Sequence, residues 1–135
     1  MHFVDTNILL YSVSTHPDEI GKASKAADIL SRDDLCLSVQ ILQEFYVQAA
    51  RSNRPGALSH EEATAFIEKW LRFPVLDITT ALMRDAFVAS QRWRISYWDA
   101  AVVEAARTCG CDVLLSEDLS AGQNYDGVRV ENPFA

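Results

Sequence analysis

Four carboxylates in this chain interrupt apolar patterns or stand at their ends. Asp5 follows Phe3-Val4, Glu44 lies within Ile41-Leu42-Gln43-Glu44-Phe45, Asp99 closes Ser96-Tyr97-Trp98-Asp99, and Asp118 follows Val113-Leu114-Leu115-Ser116-Glu117. No lysine stands next to any of the four in the sequence. Carboxylates brought together repel, and some take up protons unless a cation holds them. The natural partner is a hard divalent cation, Mg²⁺ or Mn²⁺, which prefers oxygen ligands. Mg²⁺ keeps several waters and takes its remaining ligands from carboxylates and a substrate phosphate. Such a site, with one metal or two, activates water and neutralises charge on a phosphodiester. Phosphodiester hydrolysis is the chemistry these residue types suit best.

Each acid also has a plain structural reading. Asp5 can cap the helix that follows it. Glu44 shares a helix with Gln40, Gln43 and Arg51 and can belong to a solvated stripe. Asp99 stands three residues after Ser96, a common helix start. Asp118 can cap a turn. What separates the readings is whether the fold brings the acids to one place.

The elements that must do so are legible. Phe3-Val4, Leu35-Cys36-Leu37, Pro74-Val75-Leu76, Val113-Leu114-Leu115 and Val128-Arg129-Val130 read as short strands, the last at an edge. Between them, helical periodicity runs over Ile8–Tyr11, Ala23–Leu30, Val39 to about Ser52, a segment from the Ser59-x-x-Glu62 capping box to Leu71, Thr80–Trp93, and Ala100–Cys109 with Gly110 as its stop. Strands alternating with helices predict an α/β fold: one domain over residues 1–135, with a mostly parallel sheet of about five strands flanked by helices on both faces. In such sheets the carboxyl ends of the strands and the starts of the following helices share one edge, where ligands bind. All four acids are placed to meet there.

Composition sets the outer limits. The 135 residues are 49% hydrophobic and 23% charged, ordinary for a globular domain. No apolar run approaches the ~20 residues needed to cross a bilayer. The N-terminus lacks a basic stretch followed by an apolar one, so the expectation is no signal peptide and a cytoplasmic location. A net charge of −7 argues against a broad basic nucleic-acid surface, but clustered metal-holding acids would themselves raise the acidic count. Cys36, Cys109 and Cys111 are odd in number and match no usual zinc spacing, so they read as buried or incidental thiols.

The chain resembles the PIN-domain ribonucleases, and in particular the VapC-type toxins of bacterial toxin–antitoxin pairs. The resemblance lies in Val4-Asp5-Thr6-Asn7, in Glu44 within Ser38-Val39-Gln40-Ile41-Leu42-Gln43-Glu44-Phe45, in Tyr97-Trp98-Asp99-Ala100-Ala101, in Leu114-Leu115-Ser116-Glu117-Asp118-Leu119, and in the closing Gly127-Val128-Arg129-Val130-Glu131-Asn132-Pro133-Phe134. It implies that Asp5, Glu44, Asp99 and Asp118 are a catalytic, metal-binding quartet. It makes Thr6, Asn7 and Ser116 the polar residues that orient water or a carboxylate, with Glu117 an outer contributor at most. It further implies Mg²⁺- or Mn²⁺-assisted cleavage of RNA, often transfer or ribosomal RNA, leaving a 5′-phosphate and a 3′-hydroxyl. Homodimers and silencing by a small antitoxin of VapB type belong to the same expectation.

Substrate handling is carried by fewer signals. Gln91-Arg92-Trp93-Arg94, close to Tyr97 and Trp98, mixes guanidinium and aromatic groups suited to phosphates and unstacked bases. Arg51 and Arg54, beyond Glu44 on the same helix and its loop, are further candidates for phosphate contact. The tryptophans can equally be core and the arginines solvated. A receiver domain would need paired acids after the first strand and a lysine after the last. A haloacid-dehalogenase-like phosphatase would need an Asp where Asn7 stands. The stronger rival is a PIN-like binding module with little or no cleavage, acting through protein or RNA partners.

Overall fold

The computed structural model describes all residues 1–135. Five strands form one sheet: β1 (His2–Val4), β2 (Leu35–Ser38), β3 (Val75–Leu76), β4 (Val113–Leu115) and β5 (Arg129–Glu131). Their order is β3-β2-β1-β4-β5, and every pairing is parallel. Successive strand residues point to opposite faces. Phe3 and Val4, Leu35, Cys36 and Leu37, and Val113, Leu114 and Leu115 are all buried, so both faces of the central strands are covered. That is why these strands read as continuous apolar runs rather than alternating ones. β3 holds only two residues, both half-buried, because it sits at the edge of the sheet.

Six helices connect the strands: α1 (Thr6–Ser12), α2 (Ile20–Leu30), α3 (Val39–Ala49), α4 (His60–Trp70), α5 (Thr80–Trp93) and α6 (Tyr97–Thr108). Their starts follow side-chain capping. Ser38, Ser59, Thr79 and Ser96 each accept a hydrogen bond from a first-turn backbone N–H, and Ser59 with Glu62 completes a full capping box. Gly110, at φ +73°, takes the left-handed turn that follows α6.

Two packing arrangements hold the functional elements. Phe3, Ile8, Leu9, Leu37, Ile41, Phe45 and Leu114 are fully buried in the main core, each side chain contributing about 1.5–3 kcal/mol by burial. They fix α1 and α3 against β1 and β2. Ala86, Ala89, Ala100 and Ala101 form a second, smaller cluster between α5 and α6, where small side chains let the two helices approach closely. α6 is thereby held along its first turns, the part that carries Asp99.

The chain departs from the expected boundaries in one place that matters. α3 ends at Ala49 rather than near Ser52, because tight turns begin at once: Arg54 N–H donates to Arg51 C=O and Ala57 N–H to Arg54 C=O. Arg51 therefore lies just past the helix rather than on it. No helix is long and apolar enough to cross a membrane.

Candidate active site

The strand order reverses direction between β1 and β4, the place where open parallel sheets leave a crevice at their carboxyl edge. Asp5 ends β1 at that crevice, and Ser116-Glu117-Asp118 leaves β4 beside it. The backbone ties the two together, since Asp5 N–H donates to Leu115 C=O at 3.0 Å.

Asp5 follows β1 directly and is the N-cap of α1, with extended backbone (φ −80°, ψ 162°). Its Oδ1 accepts from Thr6 N–H at 2.8 Å, and its Oδ2 accepts from the Ser116 hydroxyl at 2.7 Å. Ser116 is wholly buried and fully engaged, because its Oγ also accepts from the backbone N–H groups of Asp118 (3.1 Å) and Leu119 (3.3 Å). Asn7 bridges the same group of residues. Its Nδ2 donates to Asp118 Oδ2 at 3.2 Å, and its Oδ1 accepts from Glu117 N–H at 3.2 Å. On the other side, the Thr6 hydroxyl donates to Glu44 Oε2 at 2.8 Å, while Gln40 Nε2 donates to Glu44 Oε1 at 3.0 Å. Glu44, Thr6, Asp5, Ser116, Asn7 and Asp118 thus form one connected network.

The electrostatics are those of a carboxylate buried without a cation. Asp5 is only 8% exposed, and its pKa is pushed up to about 6. Burial is the main cause, reinforced by the charges of Asp118 and Glu44 and opposed by the hydrogen bonds from Ser116 and Thr6. Asp5, Glu44, Asp99 and Asp118 enter no ion pair. Glu117, one residue from Asp118, does the opposite. Its carboxylate binds Lys22 Nζ at 2.7 Å and accepts from the Tyr11 hydroxyl at 2.5 Å, which together hold its pKa below the ordinary value despite burial. Glu117 therefore meets the network through its backbone N–H, and its side chain points to a different partner.

Asp99 stands in the first turn of α6, where its backbone N–H, not its side chain, completes the cap on Ser96. No hydrogen bond joins it to the network. Its charge is felt by Tyr125, whose phenol is pushed above its ordinary pKa first by burial and then by Asp99. In this arrangement no three His, Cys, Asp or Glu side chains are gathered closely enough to form a metal-holding group. The residues still fit a hard divalent cation by the chemistry of the donors. They offer carboxylate oxygens of Asp5, Glu44 and Asp118 without a single cationic counter-charge. An ion that keeps most of its waters needs only one or two such ligands from the protein.

The arginines separate. Arg51 shares a groove of about 520 Å³ with Glu44, Gln40, Gln43, Val47, Gln48 and Trp98, and Trp98 is 63% exposed. Arg54 lines a different cavity with His16 and Glu19. Arg92 pairs with Asp126 at 3.4 Å and lies over Trp93, which itself packs edge-on against Tyr125. Arg94 occupies the left-handed turn that ends α5 (φ 54°). Sequence reasoning missed the support from Gln40, whose four-residue spacing to Glu44 was the available signal. It also missed Lys22 and Tyr11, for which no local signal exists.

The family model of the PIN domain matches residues 2–123. No curated protein matches the chain. Among solved structures, the chain is similar to VapC20 of Mycobacterium tuberculosis, described as a sarcin–ricin-loop-cleaving toxin (18% identity over 87% of this chain and 92% of that one, TM-score 0.69). It is also similar to a toxin–antitoxin complex from Klebsiella pneumoniae (16%, 98% and 98%, 0.71). A third similar structure is DNA-bound VapBC from Salmonella typhimurium (22%, 98% and 97%, 0.66). At these identities the structural likeness establishes the fold, and the family match establishes membership: the chain belongs to the PIN-domain family.

Proposed function

We propose that this protein is a divalent-metal-dependent endoribonuclease that hydrolyses RNA phosphodiester bonds and serves as the toxin of a toxin–antitoxin pair. The observation that carries the reading is the network of Asp5, Glu44 and Asp118 at the sheet's switch point, buried in part and paired with no cation. Nuclease activity is typical of the family, and one structural neighbour is named as a sarcin–ricin-loop-cleaving toxin.

Asp5, Glu44 and Asp118 would hold Mg²⁺ or Mn²⁺, with Asp99 as the fourth acid of the site. When bound, such an ion lowers the pKa of water and offsets charge on the phosphodiester. The chain's own residues prepare for it. Ser116 and Thr6 N–H fix both oxygens of Asp5, Thr6 Oγ1 and Gln40 hold Glu44, and Asn7 orients Asp118. The groove beside Glu44 suits single-stranded RNA, with Trp98 as a stacking platform and Arg51 as a phosphate contact. The neighbouring complexes support a small antitoxin as partner. Exposed Phe87 and Val88 on α5 offer an apolar surface for a homodimer. We place the protein in the cytoplasm and treat residues 1–135 as one domain.

Inducible expression in a bacterial host tests the reading. The wild-type chain is expected to arrest growth and to create discrete new RNA 5′-phosphate ends, while Asp5→Asn at equal protein level does neither. Growth arrest by both forms, or by neither, contradicts it and favours a binding module.

A further inference from the structure

The fold gathers the three cysteines, which the acidic network does not use. Cys36 lies in β2, Cys109 caps the end of α6, and Cys111 follows Gly110 on the way into β4. The sulfurs of Cys36 and Cys109 lie 2.7 Å apart. Cys36 and Cys111 are buried, whereas Cys109 is partly open to solvent. A disulfide spans about 2.05 Å, so closing the pair requires a movement of under about 1 Å. Cys109, the one sulfur partly open to solvent, is the one that a dissolved disulfide reaches first.

We propose that Cys36 and Cys109 form a reversible disulfide when the protein meets a small-molecule disulfide such as oxidised glutathione. The Cys109 thiolate attacks one sulfur of that disulfide and releases one glutathione thiolate. The Cys36 thiol then loses its proton and attacks the mixed disulfide at Cys109, releasing the second glutathione. Two protein thiols are oxidised to one disulfide, and one oxidant molecule is reduced to two thiols. The bond encloses residues 36–109 and fastens β2, which runs through Ser38 into the helix of Glu44, to the end of the helix that carries Asp99. Cys111 remains the one free thiol.

The test is thiol counting by intact mass after alkylation in denaturant, on full-length protein equilibrated with glutathione buffers. Wild type is expected to fall from three reactive thiols to one, with no retained glutathione, a 36–109 cross-linked peptide, and full reversal by dithiothreitol. Cys111→Ala should still close. Cys36→Ala should stop at a glutathione adduct on Cys109. Should Cys36→Ala fail to fold, Cys109→Ser at the more exposed position must slow oxidation of Cys36 by about tenfold or more. Three persistent thiols in wild type, a stable adduct without closure, or closure that survives the loss of Cys36 or of Cys109 would overturn the proposal.

Discussion

Ser116 donates its hydroxyl to Asp5 across 2.7 Å and so joins the carboxyl ends of the two strands between which the sheet order reverses. The same oxygen accepts from two backbone N–H groups of the following turn, leaving it no spare capacity. Ser116→Ala therefore leaves the Asp118 and Leu119 N–H groups short of a partner as well as freeing Asp5. The expected cost is about 1–3 kcal/mol of stability in urea unfolding, with a loss of cleavage. Ser116→Thr, which keeps the hydroxyl, should recover activity if the threonine methyl is accommodated. Undiminished cleavage by Ser116→Ala would remove this residue from the account.

Asp5 gives a stability prediction whose sign opposes the usual one for a carboxylate. Its folded pKa of about 6 lies above the ordinary value of 3.8, so the folded state holds the proton more tightly than the unfolded state. Its penalty is absent below about pH 4, grows as pH rises through the interval to 6, and is complete above it, reaching at most about 3 kcal/mol. Asp5→Asn should therefore raise the thermal midpoint in EDTA at pH 7.5, and the advantage should vanish near pH 4. A less stable Asp5→Asn at pH 7.5 would show that the carboxylate is not strained by burial.

Metal addition should offset that advantage. An ion that binds only the folded chain stabilises it by about 2.7 kcal/mol at a hundredfold excess over its dissociation constant. Mn²⁺ is expected to raise the melting temperature of wild type and to leave Asp5→Asn nearly unchanged. Equal shifts in the two proteins would place the ion elsewhere.

Glu117 and Asp118 are neighbours with different duties. Because Glu117 is tied to Lys22 and Tyr11, Glu117→Gln should leave the cleavage rate within about the tenfold lower bound seen for outer partners of metal sites, and Asp118→Asn should exceed the hundredfold upper bound. Single-turnover cleavage separates them, and equal losses would mean that both acids serve the metal.

Trp98 offers a test of substrate placement that stability cannot confuse. The ring is largely exposed, so Trp98→Ala should change stability by no more than about 0.5 kcal/mol. Loss of one base stack is worth about 1–3 kcal/mol, which should appear as weaker binding of single-stranded RNA. Unchanged affinity would return Trp98 to a plain surface role.

The elements of this fold were legible because local chemistry marks them. Ser38, Ser59 and Ser96 cap helices as their spacing predicts, and Leu35-Cys36-Leu37 reads as a strand because both of its faces are buried. The edge on which Asp5, Glu44 and Asp118 stand followed from that topology. What local pattern does not encode is side-chain direction. The Lys22–Glu117 pair joins residues 95 apart, and the thiols of Cys36 and Cys109 meet across 73 positions. The same limit explains the arginines, since only Arg51 of the four named candidates shares the groove of Glu44. It also explains why Asp99 sits in the first turn of its helix without joining the hydrogen-bonded acids.

The most direct measurement is cleavage of total cellular RNA by the purified, antitoxin-free protein with Mg²⁺ or Mn²⁺, with EDTA, and beside Asp5→Asn and Asp99→Asn. Discrete fragments are expected with the metal and wild type, and none with EDTA or with either folded variant. Cleavage that persists in EDTA or in the variants would contradict a carboxylate-held metal site. A folded wild-type protein that cuts no RNA with either ion would contradict the nuclease reading itself.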